Sequence, residues 1–84
     1  MEPSAFPQRV PLKVIGRLEE LQADMVVSLI VAHLGPQPDE RQAHQAHCKG
    51  AFISLTFWIT LRADHEERVL REAIARLPGY VMQL

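Results

Sequence analysis

Between Phe52 and Arg62 the residues alternate: Ile53, Leu55, Phe57, Ile59 and Leu61 are apolar, while Ser54, Thr56 and Thr60, with Trp58 among them, fill the positions between. A pleated strand sends successive side chains to opposite faces, so this run predicts a strand with one face in a core and the other open except for Trp58. Such a strand needs partner strands and a covering layer before its apolar face is out of water.

The rest of the sequence supplies both. Leu12 to Arg17 has Leu12 and Val14 on one side and Lys13 on the other, a short strand closed by Gly16. From Glu19 to Leu34 apolar residues fall at helical spacing until Gly35-Pro36, which cannot continue a helix. Arg41 to Cys48 is polar and loosely alternating, as an edge strand should be, and Lys49-Gly50 predicts a tight turn into the apolar strand. Asp64 stands where a helix cap belongs, with Glu67 placed to complete a capping box, and Leu70, Ala73, Ile74 and Leu77 form one stripe. Leu77-Pro78-Gly79 ends that helix, and Tyr80 to Leu84 alternates into a last strand. With 84 residues there is length for one domain only. Residues 1–11, with three prolines, are expected to be a flexible lead-in, and 12–84 the folded domain.

The order strand, helix, strand, strand, helix, strand is the split βαβ, or ferredoxin-like, arrangement: an α+β fold, βαββαβ, with a four-stranded antiparallel-type sheet and both helices on one face. Strands one and three become central, which suits the apolar third strand and the polar second one.

With Phe6-Pro7, Lys13-Val14-Ile15-Gly16, His33 closing the first helix, Lys49-Gly50 followed by Phe52 and Ser54, and Met82-Gln83-Leu84, the chain resembles the YbeD-like family of small bacterial proteins of unknown function. It departs at Arg71, where an aromatic is expected, and at His47-Cys48, where small polar residues are usual. The resemblance implies a fold similar to ACT regulatory domains, genes lying near those for lipoate attachment, and no established activity.

Charge and cysteine content narrow the function classes. Nine basic and ten acidic residues give a net charge of −1, so no overall field draws the chain to nucleic acid or to an anionic membrane. The single Cys48 excludes an internal disulfide, the first residues lack the pattern of a secretory signal, and no apolar run approaches the ~20 residues of a membrane span, so a cytoplasmic location is expected. His44, His47 and Cys48 are the one group with metal-ligand chemistry, but on a strand His44 and His47 belong to opposite faces and His44 and Cys48 lie ~13 Å apart. Neither a metal, a cofactor nor a catalytic residue is expected.

Three binding readings arise. Leu21, Met25, Leu29 and Ala32 form a second apolar stripe on the first helix, nearly opposite Ala23, Val26, Val27, Ile30 and Leu34, and this predicts a partner or a second copy on that helix, with Trp58 as a further contact. Gly16 and Arg17, at the turn after the first strand, would line a site for an amino-acid-like effector. Lys49-Gly50-Ala51-Phe52 invites comparison with the basic-Gly-aromatic signature of RNA-binding sheets, but the comparison fails in detail: the aromatic positions expected on strand one and further along strand three hold Val14, Ile15 and Ile53, only Phe52 and Trp58 could stack, and the basic charge is missing. The first is preferred: a non-catalytic interaction or regulatory module.

Overall fold

The structure, a computed structural model, describes residues 7–37 and 44–84. The elements follow the expected order: β1 (Gln8–Arg17), α1 (Ala23–Leu34), β2 (His44–Lys49), β3 (Phe52–Leu61), α2 (Asp64–Ile74) and β4 (Tyr80–Gln83). The strands form one antiparallel sheet in the order β2-β3-β1-β4. Leu12 and Val14 of β1 join Leu55, Phe57, Ile59 and Leu61 of β3 beneath Val26, Ile30 and Leu34 of α1 and Leu70 and Ile74 of α2, so both helices cover one face.

β1 begins earlier than its hydrophobic pattern suggests. Gln8 pairs with Leu61 and Pro11 with Trp58, so residues 8–11 belong to the sheet rather than to a lead-in. Residues 1–6, including Phe6, lie outside the described residues. A proline in a central strand needs a reason, and the hydrogen-bond parity gives one. Lys13 bonds through both its N–H and its carbonyl to Leu84, at 3.4 and 2.9 Å. Pro11, two residues earlier, faces the same way beyond that rung, so the ladder to β3 loses no donor.

α1 is shorter than expected because the chain first makes a turn. The Glu20 and Leu21 N–H groups both bond to the Arg17 carbonyl, and the helix starts only at Ala23. Leu21 therefore escapes helical phasing. Its side chain turns into the core and is 3% exposed. α2 begins without a side-chain cap, which corrects the expected Asp64–Glu67 box. The Glu66 carboxylate instead accepts the Arg62 N–H at 2.7 Å and the Arg62 guanidinium at 3.0 Å, and Arg71 ion-pairs with Glu67 at 2.9 Å. The Arg62 guanidinium also donates to the Leu34 carbonyl at the end of α1, which links the two helices.

A side chain meets β3 beyond the described residues of β2. β2 meets β3 from Lys49↔Phe52 to His44↔Phe57, and three residues further along β3 the Thr60 N–H donates to Gln37 Oε1 at 2.7 Å. The expected strand residues 41–43 lie outside the described residues.

Candidate functional site

The register places the polar half of each strand on the face without helices. Arg9, Pro11, Lys13, Ile15 and Arg17 of β1 stand opposite Thr60, Trp58, Thr56, Ser54 and Phe52 of β3. Beyond them, Gln45, His47 and Lys49 of β2 complete the same rows, and Met82 of β4 flanks Ile15. Three large apolar side chains lie open there: Phe52, Trp58 and Met82 are 44%, 49% and 43% exposed.

Charge on this face differs from that of the whole chain. The four strands carry Arg9, Lys13, Arg17 and Lys49 and no Asp or Glu. Among the described residues, the acidic side chains lie in the turn after β1, on α1 and on α2. Glu20 reaches back to Arg17 at 3.7 Å at the rim, whereas neither Lys13 nor Lys49 makes an ion pair within the described residues. The Arg9 guanidinium lies over the Trp58 ring, 5.3 Å from its centroid, a geometry in which the ring's quadrupole attracts the cation. Between β1, β3 and β2 there is a depression of about 230 Å³ whose lining includes Lys13, Ile15, His47, Lys49, Phe52 and Ser54. Two ammonium groups, an imidazole and a hydroxyl thus border an apolar floor.

The other sequence-predicted sites are placed differently. Leu21 is a core residue and so offers no free surface; of that stripe, Met25 and Leu29 are half-buried and Ala32 is exposed. The physical reason is that α1 packs against α2 as well as the sheet, which widens the arc it buries. Gly16 is equally closed. A Cβ there would stand 2.6 Å from the Gly79 carbonyl oxygen and 2.7 Å from Leu21 Cδ2. Gly79, at φ +78°, would place its own Cβ 2.6 Å from that of Glu20. The two glycines let the turn after β1 and the turn after α2 touch. Arg17 lies beside this joint, with its N–H on the Gly79 carbonyl at 2.8 Å and its side chain on the open face.

His47 stands opposite Ser54 on the open face, Cys48 opposite Ile53 and His44 opposite Phe57, so the three positions are dispersed along β2. Arg71 has a structural task. Its guanidinium reaches the Gln83 side chain and the Leu84 carbonyl at 3.4 and 3.3 Å, and Gln83 donates to the Arg71 carbonyl at 2.8 Å, which fastens β4 to α2.

A family model for a protein of unknown function, DUF493, matches residues 2–84. The chain belongs to that family. Its relatives include UPF0250 proteins of Shewanella amazonensis and Shewanella loihica, each 28% identical over 74 residues that cover 88% of this chain and 82% of the relative. This is the YbeD-like family of the sequence resemblance. Among solved structures, the fold is similar to the ACT domain from the GTP pyrophosphokinase of Chlorobium tepidum, with a TM-score of 0.59 over 90% of this chain and 94% of that one. At 8% identity that likeness concerns the fold alone. The DUF493 chain shares the ACT-like layering, and its open sheet face has its own chemistry. None of its described helices is long and apolar enough to cross a membrane.

Proposed function

We propose that this domain is a small, non-catalytic binding module of the cytoplasm that holds its partner on the open face of the sheet. The observation that supports this is the pairing of exposed Phe52, Trp58 and Met82 with Lys13 and Lys49 on strands whose described residues include no Asp or Glu. Apolar area supplies affinity and the cations supply orientation, the two ingredients of a specific surface. The first helix is the weaker surface, because Leu21 is committed to the core and Leu29 is partly covered. The effector reading finds its turn packed shut by Leu21 and Gly79. The lipoate connection rests on family resemblance, and no residue of the open face argues for a lipoyl ligand.

A photo-crosslinking residue placed in cells at position 58, and separately at Val31 on the exposed side of α1, tests the choice of surface. Adducts are expected from position 58 and not from position 31. Adducts from the helix position alone would move the working surface to α1.

A further inference from the structure

Building on that reading of the open face, we infer that its partner is single-stranded nucleic acid, held through phosphates and stacked bases without sequence preference. Charge, ring placement and shape point to this chemistry. The strands offer only cations, and they stand beside the rings. Arg9 lies over Trp58, and Phe52 sits in a cross-strand row between Arg17 and Lys49. Phe52 and Trp58 are six residues apart on one strand, about 20 Å at a strand's rise per residue, so a single strand laid along β3 would meet a ring near each end and the two lysines between or beside them. Flat basic surfaces with spaced aromatic rings bind single strands because every base has a π face and every linkage a negative charge.

The depression bordered by Lys13, His47, Lys49 and Ser54 fits one phosphate over its polar rim, with a sugar or base against Ile15 and Phe52. A duplex hides its base faces and presents backbone to a flat sheet. The net charge of −1 does not oppose this, because the acidic residues described lie in the other layer or in the turns at its edge. A strand on the sheet would meet the lysines at close range, well inside the ~8 Å over which physiological salt screens charge.

Trp58 is the only tryptophan, so its fluorescence reports directly on this face. The full chain is titrated with a mixed-sequence 12-nucleotide single strand, as RNA and as DNA, with the corresponding duplex, and with a Glu-rich peptide of equal charge. Quenching by the single strands is expected, with log affinity falling against log salt at a slope of about −1.4 for the two cations Lys13 and Lys49. Anisotropy of a labelled strand then reads the variants. Lys13→Glu with Lys49→Glu should weaken binding by at least about tenfold and flatten the salt slope, whereas Arg68→Glu on exposed α2 should change neither. Lys49→Ala, at the hairpin, replaces the double variant if circular dichroism shows that one unfolded.

Quenching by the peptide but not the strands overturns the nucleic-acid assignment and leaves the open face as a protein-binding surface. A fluorescence change with protein concentration alone overturns it in favour of a second copy. Absence of any response, with adducts still formed in cells at position 58, overturns nucleic acid only; absence of both overturns the proposed surface as well.

Discussion

The two faces of the sheet are built from the same strands, residue by residue, and they obey different rules. Toward the helices, Phe57, Leu55, Ile59 and Leu12 are almost wholly removed from water, and any change in their volume is felt by both layers. Toward solvent, Trp58 and Lys13 stand next to Phe57 and Leu12 in the chain, and with Phe52 and Lys49 they are held in cross-strand rows by backbone pairing. The contrast separates two requirements on one sequence. One face has to specify the fold, and the other is free to carry a surface because folding asks little of it.

The sharpest way to break this contrast is to cut neighbouring residues that face opposite ways. Phe57→Ala should cost about 3–5 kcal/mol in urea unfolding, since it leaves a cavity under both helices. Trp58→Ala should cost under about 1 kcal/mol, mostly the contact with Arg9. Equal losses would mean that the open face is part of the core and not a spare surface.

The joint between the layers is the next largest lever. Gly16→Ala forces a methyl against the Gly79 carbonyl and Leu21, and an overpacking loss of about 1–3 kcal/mol is expected in the same assay. A neutral result would show the two turns loose enough to admit a ligand after all.

Both levers bear on how much could be read in advance. Alternation and helical spacing are local, repeated signals, and they disclosed the element order, the sheet and the buried set Val14, Leu55, Phe57, Ile59, Ile30, Leu70 and Ile74. Leu21 was misjudged because a single turn at Arg17 shifts its phase, and no periodicity records one turn. Gly16 reads as a turn residue, whereas its close contact with Gly79 spans 63 positions and has no local trace. The basic face was hidden by the sum of charges: a net value averages two layers that only the strand register separates.

Smaller effects sharpen the picture at the sheet's margin. Arg71→Met removes the guanidinium's contacts with Glu67, Gln83 and Leu84 and leaves the Gln83 bond to the residue 71 carbonyl, for an expected loss of about 1 kcal/mol and faster hydrogen exchange at the Leu84 amide, with the β3 amides unaffected. Acceleration throughout β3 would show that β4 and the centre of the sheet open as one unit.

The smallest expected effect is on pH dependence. The Arg62 N–H, opposed by some desolvation and helped by the Arg62 guanidinium, holds the Glu66 carboxyl below its ordinary value of 4.5. A carboxyl whose pKa is lowered by folding contributes stability that is complete above that ordinary value and lost as pH falls through the lowered one. Glu66→Gln should therefore lower stability near neutrality and flatten the acid limb of the stability curve, as thermal melts from pH 2 to 7 would show. An unchanged acid limb would mean that Glu66 serves packing alone.

Gln37 has a consequence for how the chain behaves in a crowd. An unpaired β3 N–H beyond the end of β2 would invite a strand from another molecule to add on, the first step toward ordered aggregates. The Gln37 amide holds that donor at Thr60, so a newcomer would have to displace an existing bond before making its own. Replacing Gln37 by Ala frees that donor, and the change is expected to show itself less in melting temperature than in turbidity when concentrated protein is left to stand.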